Sequence, residues 1–231
     1  MKSVSINSIS QLHDYLQLPR PSHPLISVYP HNALQGKIKS GVQYTFGLYQ
    51  VSLKDGLQCV MGYGRSHYDF DDGSMVFMSP GQSASVDNVQ SNTSTKGWTI
   101  AFHPDFIKQG VLGKNINQYH FFEYACNESL HLSEKECQVV TDISKEIEYE
   151  LSQSMDRHTQ TLLQSRLALL FNYCVRFYDR QFYVRADLNQ SYVDRFEQLL
   201  IDYYRSDKPL EQGIPSVQYC GKALALSPYY L

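Results

Sequence analysis

Val42-Gln-Tyr-Thr-Phe-Gly-Leu-Tyr-Gln-Val-Ser-Leu53 decides the class of the fold. Its β-branched and aromatic residues recur at the two-residue period of a strand, and Lys54-Asp55-Gly56 follows as a turn. Downstream, Leu57-Gln-Cys-Val-Met61 reads as the next strand, and Asp72-Gly73 as a turn before the strand Ser74-Met-Val-Phe-Met78. Pro80-Gly81 ends that strand. Trp98-Thr-Ile-Ala-Phe102 is a further strand, closed at His103-Pro104 because proline cannot continue a ladder. Pro104 and Asp105 suit the first turn of a short helix. Short strands separated by turn residues are the pattern of an all-β sandwich or barrel.

Past residue 125 the period changes. Ser133-Glu-Lys-Glu136 is a capping box, and Val140, Ile143, Ile147 and Leu151 then recur at helical steps to about Ser154. The acidic residues Glu134, Asp142, Glu146, Glu148 and Glu150 fall on the other face, which is read as solvated. A second helix is expected from Thr159 to Asp179. Leu163, Leu167, Leu170, Cys174 and Phe177 form one stripe on it, and Leu162, Leu169 and Tyr173 another beside it. Both stripes can be intramolecular core, or one can meet a second subunit; only one neighbouring helix is at hand to cover so wide an apolar face, which favours a dimer interface for the first stripe. The polar segment Arg180 to Gln190 is expected to be a connection. Phe196, Leu199, Leu200 and Tyr203 share a face of the helix after it.

A hydrophobic fraction of 42% with 19% charged residues fits a globular protein, and a net charge of −3 gives no general attraction to nucleic acid. Five scattered cysteines without a Cys-x-x-Cys pair suggest reduced thiols in the cytoplasm. The N-terminus has no apolar signal region, and no run is long and apolar enough for a membrane span.

Val217-Gln-Tyr-Cys-Gly-Lys-Ala-Leu-Ala-Leu-Ser-Pro-Tyr-Tyr-Leu231 reads as a helix, a tight turn and the opening of another helix. Ser227 suits its N-cap and Pro228 its first position. In a helix-turn-helix the second helix enters the major groove, so Ser227, Tyr229 and Tyr230 are the candidate DNA-facing residues. From Ser191 to Leu231 there are four basic residues (Arg195, Arg205, Lys208, Lys222) against five acidic ones (Asp194, Glu197, Asp202, Asp207, Glu211). A phosphate-binding face is not expected there.

Together these stretches carry a family resemblance. Ser216 to Leu231 resembles the first helix-turn-helix of AraC-type (AraC/XylS) transcriptional regulators. Gly97-Trp-Thr-Ile-Ala-Phe-His-Pro-Asp-Phe-Ile107 resembles the N-terminal domain of one bacterial branch of that family. So do Phe77-Met-Ser-Pro-Gly-Gln82, His120-Phe-Phe-Glu-Tyr124 and Asn127-Glu128. The resemblance implies an α+β chain: a cupin-like β-barrel sensor domain at residues 1–125, a helical dimerisation region at 126–185, and an incomplete DNA-binding domain at 190–231. It implies a homodimer, a small-molecule effector, and DNA as a partner of the full-length protein only, since the later recognition helices are missing from these residues.

Within the barrel, Tyr44, Tyr49, Tyr63, His67 and Trp98 are the candidate ligand contacts, because aromatics supply area and a polar edge. His67, Asp69 and Asp71 share one side of an extended strand, but cupin enzymes carry a second histidine where Asp69 stands, and no histidine follows Pro80-Gly81. No metal, no cofactor and no catalytic residue is therefore expected. Two rival functions are a metal-dependent cupin enzyme and a short partner that silences full-length regulators.

Overall fold

The computed structural model describes residues 2–34, 36–37, 41–55, 58–63, 66–69, 73–90, 95–122, 129–209 and 213–224, with the backbone alone for 2, 58–63, 66–69, 86–90 and 182–195. The alternation beginning at Val42 is broken in the middle. Gly47-Leu48 divides it into β3 (Val42–Phe46) and β4 (Tyr49–Lys54), and Lys54, expected in a turn, completes the second strand. A Cβ at Gly47 would stand 2.8 Å from Asn7 Oδ1 and 3.2 Å from the Asn7 Cα. Glycine alone lets the chain pass this close while its N–H donates to the Ile6 carbonyl at 2.9 Å. At that corner the chain leaves one sheet and enters another.

The remaining strands are β1 (Lys2–Ile6), β2 (Ile26–Pro30), β5 (Gln58–Tyr63), β6 (Ser66–Asp69), β7 (Ser74–Met78), β8 (Ser83–Gln90), β9 (Trp98–Phe102) and β10 (Leu130–His131). One five-stranded sheet has the order β1-β3-β8-β5-β6 and the other β10-β7-β4-β9-β2. β1 runs parallel to β3, and the other described pairs are antiparallel. The helices are α1 (Ile9–Tyr15), α2 (Pro104–Lys108), α3 (Val111–Asn115), α4 (Glu134–Ser152), α5 (Thr159–Arg205) and α6 (Val217–Leu224). The chain is thus α+β, with two sheets and a helical second half.

Both faces of the second sheet are covered. Val51, Leu53, Met75, Phe77, Trp98, Ile100 and Phe102 meet Val140, Ile143 and Ile147 of α4 together with the first half of α5. The opposite face turns toward the first sheet and α1, where Ile6, Ile9, Leu12, Leu16, Tyr29, Leu34, Leu48 and Ala101 form a second core. α4 starts at the expected capping box: Ser133 Oγ accepts from the Glu136 N–H, and Glu136 Oε2 accepts from the Ser133 N–H at 2.8 Å. Its acidic face is solvated for the most part, with Arg166 of α5 reaching Glu146 and Glu150 at 3.6 and 3.5 Å. His103 caps α2 through Nδ1, with Pro104 in the first turn.

The stripe assigned to a dimer lies elsewhere. Leu163, Leu167, Leu170 and Cys174 are each 0% exposed and Phe177 is 6% exposed, all in the core beneath the second sheet. The sheet supplies the covering face that a single neighbouring helix could not. Leu162 and Leu169 of the second stripe are exposed, and Tyr173 is half-buried. The connection expected at Arg180–Gln190 is helical, because nothing in that segment is glycine or proline.

Two compact units result, Met1–Tyr178 and Asp179–Leu231. Residues 134–178 share a core with the strands and so belong to the first. In the second, Tyr203, Cys220 and Leu224 are buried, the Tyr203 and Tyr219 rings meet edge-on at 5.2 Å, and Tyr203 donates to the Gly213 carbonyl at 2.9 Å. The first helix of the expected helix-turn-helix is α6, whereas Ser227, Tyr229 and Tyr230 lie outside the described residues.

Truncating the two α5 stripes separates them energetically. Leu167→Ala is expected to lower the unfolding free energy by about 2–5 kcal/mol, the range for a buried leucine, and Leu169→Ala by about 0.5 kcal/mol or less. Urea denaturation of both variants measures the difference.

Candidate functional site

On a strand, neighbouring side chains point to opposite faces, so β4 sends Tyr49, Val51 and Leu53 toward the helices and Gln50, Ser52 and Lys54 toward the first sheet. β9 does the same with Trp98, Ile100 and Phe102 against Thr99, and β7 with Met75 and Phe77 against Val76 and Met78. The inward set meets Ile6, Tyr44, Phe46 and Ala84 of the first sheet. Between them lies a cavity of about 110 Å³, lined further by Leu12, Tyr15 and Leu16 at α1 and by His31 and Leu34 in the turn after β2. Its wall is mostly apolar, with polar groups gathered at β4 and β9.

Those polar groups are deeply buried. His31, Gln50, Lys54 and Thr99 are each under 10% exposed. Thr99 Oγ1 is the hub, bonding both His31 Nε2 and Ser52 Oγ at 2.8 Å. Across the cavity the Tyr15 and Tyr44 hydroxyls pair at 3.0 Å, and burial together with that pairing pushes the Tyr15 hydroxyl up to about 12. Among the described residues, Gln50 Nε2 and His31 Nδ1 are buried without a hydrogen-bond partner. A Cβ at Gly97 would stand 2.5 Å from His31 Nδ1 and 2.6 Å from the Leu53 carbonyl oxygen, so the bare backbone at 97 is what seats the imidazole. Among the described residues, the unpartnered amide of Gln50 is an open polar group on the cavity wall.

Of the expected ligand contacts, Tyr44 lines this cavity. Tyr49 and Trp98 do not. They face the helix layer, where Tyr49 stacks on Phe102 at 5.0 Å and Trp98 Nε1 donates to Thr141 Oγ1 of α4 at 3.3 Å. The parity of β4 and β9 turns them outward because a second apolar layer waits there. The side chains of Tyr63 and His67, on β5 and β6, and of Asp69 lie outside the described set, as does Asp71. Among the described residues no group of three His, Cys, Asp or Glu side chains is placed to hold a metal, and no helix is long and apolar enough to cross a membrane. His31, Gln50, Ser52, Lys54 and Thr99 are absent from the sequence-based set. Their signal was polar residues at every second position of an otherwise apolar strand.

His31 makes stability depend on pH. Burial, reinforced by the charge of Lys54, lowers its pKa from 6.5 to about 4, so the imidazole is neutral in the folded protein. Between these values the unfolded chain binds the proton that the folded chain refuses. The stabilisation is complete above pH 6.5 and is lost as the pH falls toward 4. Its contribution to the fall in unfolding free energy from pH 7 to pH 5 is roughly 2 kcal/mol. His31→Gln is expected to flatten that slope in denaturant titrations at the two pH values.

No protein-family model matches the chain. No curated protein sequence matches it either. Among solved structures it is similar to the crystal structure of the AraC-like transcriptional activator CuxR, at 9% sequence identity and a TM-score of 0.35. The matched region covers 89% of this chain and 64% of that one, so the chain spans less than two thirds of its length.

Proposed function

We propose that residues 1–178 form the ligand-sensing unit of a transcriptional regulator of the AraC type, in a cupin-like arrangement of strands, and that the cavity between the sheets is its effector site. The observation that carries this reading is the buried, partnerless amide of Gln50 on the wall of an apolar cavity. A buried donor without an acceptor costs about 1–3 kcal/mol, a cost that a bound molecule offering an acceptor removes. The family motifs of the sequence, among them Gly97–Ile107, supply the regulatory context.

The route outward is the second sheet. A ligand against Gln50 and Ser52 presses on a strand whose other face, Tyr49, Val51 and Leu53, seats the helix layer. In the proposed mechanism occupancy shifts the balance between two packings of that layer and so alters self-association through α5. Leu162 and Leu169, each more than 40% exposed, offer an apolar surface to a second copy. They replace the buried stripe in that role.

Two measurements test the proposal. In a thermal-unfolding screen of small organic compounds, a compound seated in the cavity stabilises the protein by about 2.7 kcal/mol at 100 times its Kd. Ala84→Leu, which fills the cavity wall, should abolish that gain; a complete absence of stabilising compounds sinks the effector reading. In sedimentation velocity, the double variant Leu162→Glu, Leu169→Glu is expected to convert a dimer to a monomer. An unchanged dimer would remove this face from the interface.

A further inference from the structure

The open amide of Gln50 selects among the small molecules that could occupy the cavity, given the effector reading above. Gln50 is 7% exposed, and its Nε2 meets no acceptor among the described residues. The polar groups around it are occupied. Thr99 Oγ1 is shared by His31 and Ser52, and the Tyr15 and Tyr44 hydroxyls hold each other. Lys54 already has an interaction partner, so it offers a ligand no unengaged charge. Burial holds the Tyr15 and Tyr29 hydroxyls above their ordinary titration range and His31 below it, so all three are neutral near pH 7. An ion of either sign entering this wall loses its water and finds no unengaged opposite charge among the described residues. An alcohol or an amine brings a further donor that the wall must satisfy. A carbonyl oxygen brings an acceptor alone.

We infer that the cavity takes a small neutral carbonyl compound, a ketone or an ester, whose oxygen accepts from Gln50 Nε2 and whose apolar remainder lies among Leu12, Leu16, Met78 and Ala84. Size sets the scale. A dry cavity of about 150 Å³ accepts benzene. The 110 Å³ here suits a branched body of about six non-hydrogen atoms rather than a long acyl tail or a nucleotide. The carbonyl supplies the acceptor that the Gln50 N–H lacks, and the rest of the molecule leaves water for an apolar wall.

The test compares three molecules of one shape in the 231-residue protein near neutral pH. They are isopropyl methyl ketone, the alkene in which a methylene replaces its carbonyl oxygen, and isobutyrate, in which an anionic oxygen replaces its methyl group. Affinities come from the ligand-dependent shift of thermal unfolding in sealed cells. The ketone is expected to bind about tenfold tighter than the alkene, and about tenfold or more tighter than the acid. Gln50→Met keeps the stem and removes the amide, and should bring ketone and alkene within about threefold of each other. Alkene or acid binding as tight as the ketone, blocked by Ala84→Leu, overturns the carbonyl assignment and leaves the effector site standing. So does ketone binding that Gln50→Met leaves unchanged, or a screen that yields stabilising compounds of other classes while the ketone fails. Failure of all three probes together with an empty compound screen overturns both readings. The ranking of the three probes needs no variant, so it decides the class whether or not Gln50→Met folds.

Discussion

Strand β4 is buried on both of its faces, and the two faces carry different chemistry. One is continuous with the aromatic seam of Phe77, Phe102, Phe121, Phe122 and Phe171, where ring centroids lie 4.2 to 6.2 Å apart among the contacting pairs. The other forms the polar row of the cavity. The outward face holds α4 and α5 on the sheet, and the inward face fixes what the space between the sheets accommodates. A one-residue slip of this strand would exchange the two and place an ammonium against the phenylalanine seam. Register on β4 is held from both sides, by Val51 opposite Phe77 on β7 and Ile100 on β9.

The family-like segments acquire physical reasons in this setting. Ser79-Pro80-Gly81-Gln82 is a tight turn in which Gly81 has φ +84° and its N–H donates to the Phe46 carbonyl at 2.7 Å. The Ser79 hydroxyl donates to the Phe122 carbonyl, which ties this turn to the His120-Phe121-Phe122 segment. Gly97 is required by the imidazole packed against it, and His103-Pro104 by the cap of α2. These positions serve packing at corners between strands and helices.

Local chemistry was legible in the sequence and tertiary context was not. The Ser133–Glu136 cap involves two side chains three residues apart, and it stands where it was expected. The same chemistry marks α1: Ser8 accepts from the Gln11 N–H, and Gln11 Oε1 accepts from the Asn7 N–H at 2.8 Å. That signal is weak in the sequence, where only Ile9, Leu12 and Leu16 accompany it. The division at Gly47 was hidden because both flanking strands alternate in the same way. The cavity was misassigned at Tyr49 and Trp98 for a related reason. Polar positions on an alternating strand ordinarily face water, a pattern that points Gln50, Ser52 and Lys54 to solvent and the aromatics to the interior. A strand covered on both faces reverses that assignment, and only the position of α4 and α5 reveals it.

The sulfur contact inside the helix seam has its own consequence. Cys174 Sγ lies 3.8 Å from Met75 Sδ, fully enclosed between β7 and α5, and burial pushes the thiol well above its ordinary range. A thiol held neutral and sealed from solvent does not meet an alkylating reagent unless α5 lifts from the sheet. Cys137, half-buried at the start of α4, and Cys220, in the C-terminal unit, occupy other surroundings. The chain therefore carries a built-in chemical clock for opening of its helix layer. The rate of Cys174 alkylation in the native protein reports how often the seam between strand and helix comes apart.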